Sequence, residues 1–388
     1  MQMNKNWLIL IIPAILVSGC VDPFTPKIDE YQNLIVINGR ITDQEGYQYV
    51  EVSRSSPFNN PQDNPVNNCT VTFYDSESAV YNLQETSPGK YQVWMEKDNL
   101  VPGNKYKMKV LTPDGKTYAS DFVTLLPCPP VDSVYYEETV MNTDDPDQTF
   151  KGIQFYADAD ATGLATTSFM WELTETWEYH SRFMLDGYYN GRAILHVDPG
   201  ISDSLYYCWK TSNISNYYTY STLNLTANKI KKMPLNFVSN EENRLSVRYS
   251  LLVKQYSLTT EAFNYWDELR KQSQESGKLY ETQPSRIKGN IACIDDPHET
   301  VLGYFTVTSV KEKRIFAPAL INAVYDCNPT EGLNQTEMIF RLSSLSVNNF
   351  PYYLYYLQHP DGLDWFIVKQ SCFDCTLKGG ILQKPDFW

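Results

Sequence analysis

Between Leu34 and Leu126 strand-like runs and turn signals alternate about every ten residues, and that rhythm restricts the segment to one kind of fold. Leu34-Ile35-Val36-Ile37, Tyr49 to Ser53, Thr70 to Tyr74, Val80 to Leu83, Tyr91 to Trp94 and Lys105 to Leu111 are β-branched, aromatic or alternating. Turn formers part them: Asn38-Gly39, the proline-bearing stretch 59–65, Ser87-Pro88-Gly89, Val101-Pro102-Gly103 and Pro113-Asp114-Gly115. Successive side chains of a strand point to opposite faces, so each alternating run has one face to bury. No long helical period interrupts them. The expectation for residues 34–126 is an antiparallel β-sandwich, with residues 70–74 and 80–83 forming a hairpin.

Pro127-Cys128-Pro129-Pro130 follows, a stiff link that marks a domain boundary. Residues 131–388 read as a larger β-rich domain. Strands are expected at 152–157, 169–173, 193–197, 205–209, 245–255, 301–310, 315–316, 338–342 and 352–357. One main amphipathic helix stands out near 260–276. Thr259 caps it, Glu261 meets the dipole, and Leu258 staples onto Phe263. Ala262, Phe263, Trp266 and Leu269 share one face, which is expected to cover a sheet, and Gly277 suits the C′ position. The 29 tyrosines agree with a mainly β chain.

Residues 1–19 form a secretory lipoprotein signal: Lys5, an apolar run from Trp7 to Val17, then Val17-Ser18-Gly19-Cys20. The run is too short to span a bilayer, and Cys20 at the cut is the expected lipidation site. Residues 20–33 are a tether. A net charge of −14 repels nucleic acid and anionic membrane faces, which leaves lipid as the route to a membrane. After Cys20, seven cysteines remain: Cys69, Cys128, Cys208, Cys293, Cys327, Cys372 and Cys375. Outside the cytoplasm nearby pairs oxidise. Cys372-x-x-Cys375 reads as part of a structural disulfide, within the pair or to Cys327 or Cys293, because neither a zinc partner pair nor a βαβ context accompanies it.

Catalytic motifs are not legible. The four histidines are scattered, and no nucleophile elbow, H-E-x-x-H pair or P-loop is present. Nothing calls for a cofactor or a metal. Asp158 and Asp160 alternate on a strand and would share a face, suited to a cation or a sugar, though a solvated face is the plainer reading. Asp144, Asp145 and Asp147 read as a solvated loop. Tyr217, Tyr218 and Tyr220 and the run 352–356 supply aromatics that stack on sugars, grip a peptide or, more plainly, pack. Asp132-Ser133-Val134 and Asp203-Ser204-Leu205 fit a short acceptor pattern for O-glycosylation in Bacteroidetes.

Several blocks occur in order: Cys20-Val21-Asp22-Pro23-Phe24, Tyr249 to Thr259 running into Glu261-Ala262-Phe263 and Trp266, Gln283-Pro284-Ser285, Gly289-Asn290-Ile291 and Val301 to Phe305. Cys372-x-x-Cys375, Gly379-Gly380 and Lys384-Pro385-x-Phe387-Trp388 complete the series. Together they resemble a Bacteroidetes outer-membrane lipoprotein family known only as a domain of unknown function, number 4249. Pro65-Val66 leading into Thr70 to Phe73 also resembles the transthyretin-like sandwich of carboxypeptidases, so the first domain is expected to be immunoglobulin/transthyretin-like. The resemblance implies a lipoprotein of the outer membrane, facing the cell exterior. Its implied partner is a TonB-dependent transporter of the starch-utilisation type, while the aromatic clusters make an oligosaccharide or peptide the expected ligand. A non-enzymatic accessory is the leading expectation. A carboxylate hydrolase and a component of an envelope assembly complex are the alternatives.

Overall fold

A computed structural model describes residues 33–57, 61–142, 149–198, 200, 203–275, 287–320, 322–345 and 351–388. The expected signal at 1–19, Cys20 and the expected tether as far as residue 32, Asp144, Asp145, Asp147, Gly277 and Gln283-Pro284-Ser285 lie outside the described residues.

The protein is mainly β. The first stretch gives β1 (Ile35–Thr42), β2 (Gly46–Arg54), β3 (Thr70–Asp75), β4 (Val80–Asn82), β5 (Gln84–Ser87), β6 (Lys90–Met95), β7 (Lys105–Leu111), β8 (Thr117–Ser120) and β9 (Val123–Thr124). Beyond the prolines come β10 (Val131–Asn142), β11 (Thr149–Asp160), β12 (Ser168–His180), β13 (Gly187–Tyr189), β14 (Ile194–His196), β15 (Tyr207–Ser221), β16 (Lys229–Ser239) and β17 (Arg248–Leu258). Helix α1 (Thr260–Glu275) precedes β18 (Ile291–Cys293), β19 (Val301–Leu302), β20 (Phe305–Thr308) and β21 (Val310–Pro318). Helix α2 (Gln335–Ser343), β22 (Tyr352–His359) and β23 (Gly362–Ile367) close the chain.

Two sheets build the first unit. One runs β19-β1-β2-β6-β5, with β20 also on β1, and the other β18-β8-β7-β3-β4, with β9 on β7. Inward residues from both, among them Ile37, Val50, Phe73, Tyr106, Met108 and Phe305, share one core. This unit does not end at Leu126. β18 extends one sheet, while β19 and β20 join β1 in parallel, so a chain stretch some 160 residues downstream closes an edge of each sheet. The sandwich is therefore antiparallel except along β1. Gly39 makes this closure possible, since a Cβ there would lie 2.9 Å from the Phe305 ring and 3.0 Å from the Met108 sulfur.

A second pair of sheets, β10-β11-β16 and β15-β12-β17-β21, encloses Phe155, Trp171, Tyr249, Leu251 and Val253. Helix α1 covers one end of the outer face of the second of these sheets, packing Ala262, Phe263 and Trp266 on Met170, Tyr256 and Leu258. Thr259 Oγ1 accepts the Ala262 amide at 3.3 Å, in keeping with the expected cap. The proline link is built into this unit rather than spanning solvent. Gln255 donates to the Pro129 carbonyl at 2.9 Å, and Ser257 to the Leu126 carbonyl at 2.8 Å.

The third region is a small sheet, β14-β13-β22-β23, covered by α2. Residues 338–342, read as a strand, are helical. Asn334 and Glu337 form a reciprocal capping box, and Met338 and Leu342, one turn apart, are both buried. The chain thus has a second amphipathic helix besides the main one. At the far end of the β12-β17-β21 face, the guanidinium of Arg314 lies 3.5 Å over the Phe387 ring, Arg248 lies 4.2 Å over Phe316 and 5.4 Å over Trp388, and Trp388 Nε1 donates to Glu178 at 2.9 Å.

Candidate functional site

The sequence-marked residues scatter. Cys372 is joined to Cys327 (S–S 2.07 Å), and Cys375 to Cys208 (2.09 Å) on β15. Cys208 was no candidate, because nothing in a spacing of 167 residues reveals the partner. Cys293 was a candidate, yet it remains a thiol. It lies on β18 inside the first core, away from the other cysteines it was set against. Ser133 is half-buried on β10 and Ser204 is exposed in a short turn, Asp203–Leu205, so the two acceptor serines lie on separate elements.

Asp158 and Asp160 do alternate on β11, and each meets its own lysine: Lys231 at 3.0 Å and Lys229 at 2.7 Å. Partial burial pulls the Asp158 carboxyl up, but bonds from the Lys232 amide and the Lys231 ammonium hold it below its ordinary value. Bonds from Lys229 and Thr162 depress Asp160 as well. A general acid needs the opposite shift. The tyrosine run on β22 mostly packs. Tyr355 is stacked between Phe183 (4.1 Å) and Phe366 (5.0 Å), and Tyr356 meets Trp365 edge-on at 5.2 Å. Tyr217 leans on Trp266 at 5.1 Å, Tyr218 is buried, and Tyr220 is 37% exposed.

The aromatics that face solvent together are elsewhere, on the outer face of the first sheet. Tyr47 is 60% exposed, Trp94 51% and Tyr49 41%. Val50 and Val52 on β2 point into the core, so parity turns Tyr47, Tyr49 and Glu51 outward. Gln48 fills the remaining inward position and is satisfied locally. Its Oε1 accepts the Thr42 amide at 2.8 Å, and its Nε2 donates to the Gln44 carbonyl at 3.0 Å. Register then lays out the face. Tyr47 sits opposite Trp94, Tyr49 lies between Arg40 and Gln92, and Glu51 lies opposite Lys90. Gln84 on β5 continues the Gln92 row. The Tyr47 and Trp94 rings meet at 86° with centroids 5.2 Å apart, so they form a corner rather than a stack.

One side of this face is fixed to the second unit. Arg40 reaches Glu172 on β12 with two bonds, 3.0 and 2.6 Å, and the Tyr256 hydroxyl donates to the same carboxylate at 2.7 Å. Burial alone would lower the Arg40 guanidinium, but the bonds and charge of Glu172 carry it above its ordinary value. Glu172 answers in kind: burial raises it, and Arg40 outweighs burial to hold it low. Burial pushes the Tyr49 phenol up, so it stays a neutral donor and acceptor. Two-pronged charge-assisted pairing of this kind is geometrically demanding, so it fixes the orientation of one unit on the other. The result is a shelf of three rings, two of them phenols, and two amides, whose charges are paired.

A separate cleft of about 250 Å³ lies against Val140, Lys151, Ile153, Leu245 and Leu320. Glu138, Thr139 and Asn240 also line it, but none of its lining residues is aromatic, so the shelf is the surface better equipped for stacking.

A family model described as Domain of unknown function (DUF4249) matches residues 21–314. The matched range holds the shelf and its seam and stops before α2 and the Cys372–Cys375 tail. No curated protein matches the chain.

Proposed function

The chain belongs to the DUF4249 family, and from that premise we propose that it is a lipid-anchored, non-enzymatic subunit capturing an oligosaccharide or peptide for a TonB-dependent transporter of the outer membrane. The observation that carries this reading is the exposed corner of Tyr47 and Trp94, beside Tyr49, on a face clamped by Arg40 and Glu172. A hydrophobic surface that a folded chain leaves open and holds rigid is suited to a partner or ligand. The signal at residues 1–19 and Cys20 supports export and acylation, and acidity supports anchoring by lipid rather than by charge. Among the described residues, no helix is long and apolar enough to cross a membrane. Asp158 and Asp160, each paired with a lysine, support the binding reading over the hydrolase alternative.

Immunoprecipitation from gently solubilised outer membranes tests the role. A TonB-dependent barrel in constant ratio to the protein is expected, and recovery of the protein alone from several mild detergents would sink the proposal. Protease applied to intact cells should digest the protein, as an outward-facing chain requires. Replacing Cys20 by Ala should abolish incorporation of labelled fatty acid.

A further inference from the structure

We propose that the outer face of the first sheet binds an uncharged oligosaccharide along the line from the Tyr47–Trp94 corner through Tyr49 to Gln92 and Gln84. This rests on the ligand-capture reading and narrows its ligand class.

Three features of the face select that chemistry. The first is the aromatic corner. Aromatic faces carry negative charge density and their edges positive. A sugar ring presents weakly positive C–H bonds on its faces and hydroxyls around its rim. A ring laid on one aromatic of the corner meets the second aromatic at its side, since the two planes stand at 86°. The second is the polar row next to the corner. A phenol and two primary amides both donate and accept, which suits hydroxyl groups that do the same. Four residues of strand part the Tyr47 row from the Glu51 row, about 13 Å, so several sugar units have room.

The third feature is charge. Arg40 is spent on Glu172, and Lys90 lies 3.3 Å from Glu51. With its ions paired, the face offers no counter-charge to an anionic or cationic ligand. The net charge of −14 further repels acidic glycans. A peptide held as an added strand needs an open sheet edge. The binding line runs across a face rather than along an edge: the free side of β1 is taken by β19 and β20, and the outer strand β5 offers only four residues. A lipid chain needs continuous apolar area, which Gln92 and the Glu51–Lys90 pair interrupt. Because the rings stand on paired strands, little order has to be gained on binding.

The test is titration of the detergent-solubilised full chain with malto-, cello-, xylo- and manno-hexaose and a β-1,3-glucan hexamer. Intrinsic fluorescence and calorimetry serve as readouts. At least one neutral series should bind, and the affinity should fall about tenfold in Trp94→Ala and in Tyr47→Ala, one kcal-scale aromatic contact each. Both side chains are half-exposed, and circular dichroism of each variant should match the parent. Tyr47→Phe, which keeps the ring, should retain binding. No binding by any neutral series, equal binding by Trp94→Ala, or preference for an acidic glycan or a peptide overturns the assignment. A chain that co-purifies with a barrel yet ignores every sugar fails this inference alone. One that binds sugar but purifies without a barrel keeps the shelf and loses the transporter.

Discussion

The first sandwich and the small C-terminal sheet solve the same problem by different means. In the sandwich, two sheets of six strands each share a core of Ile37, Val50, Phe73, Tyr106, Met108 and Phe305. Cys293 lies inside that core and Cys69 borders it, and both remain thiols, as does Cys128 at the seam. Burial pushes the Cys128 thiol up to about 11 and raises Cys69, so both resist becoming the reactive thiolate. The C-terminal sheet has four strands, two of them only three residues long, and its buried residues fall into small clusters. One disulfide, Cys327–Cys372, lies within this region, and the other, Cys208–Cys375, ties its tail to β15 of the second unit. Covalent links stand where apolar area is scarce, and where a core suffices the cysteines are merely small apolar residues.

Four measurements break or sharpen that contrast. Phe305→Ala empties the centre of the first core from a returning strand and should cost about 3–5 kcal/mol by urea unfolding. A loss near zero would mean that β20 is not part of that core. Next, Cys208→Ser with Cys375→Ser should cost about 2–4 kcal/mol and open residues 322–388 to limited proteolysis while the sandwich stays intact. Uniform cleavage along the whole chain would erase the distinction. The third measurement concerns acid. Glu172 is held below its unfolded value, so its contribution is present above about pH 4.3 and is lost as pH falls through the folded value. Asp186, behind the small sheet, is raised by burial, so its contribution is full below about pH 3.9 and fades as pH rises through the folded value. Hydrogen exchange at pH 3 against pH 6 should therefore show β1 and β12 loosening before β13 and β22. The smallest effect is expected for Asp160→Asn, which removes an exposed ion pair with Lys229 and should leave the melting temperature unchanged.

Alternation between Leu34 and Leu126 foretold the strands of the first unit, and the Leu258-Thr259 start foretold α1, because both signals are local. The return of β18, β19 and β20 was not legible. Parallel pairing of Gly39 with Phe305 has no turn to announce it. The strand expected at 338–342 was a misreading of a short apolar run, and the true sign, Asn334 three residues before Glu337, stood just upstream. The shelf was half legible. Parity from Val50 and Val52 already turns Tyr47 and Tyr49 outward, but Trp94 joins them only through the register of β6 on β2. The tyrosine runs at 217–220 and 352–356 are dense in sequence, and there density goes mostly with packing rather than exposure.

The closure of the first unit by a distant stretch also has a mechanical meaning. If Cys20 is held in a lipid layer, any drag on the body enters through β1, the first strand after the tether. That strand is flanked by antiparallel β2 on one side and parallel β19 and β20 on the other. A pull along its axis loads many cross-strand bonds at once, in shear, instead of opening them one after another. The strand nearest such an anchor is thus also clasped by residues 301–308, and tension entering at β1 would be shared with a segment from beyond the second unit.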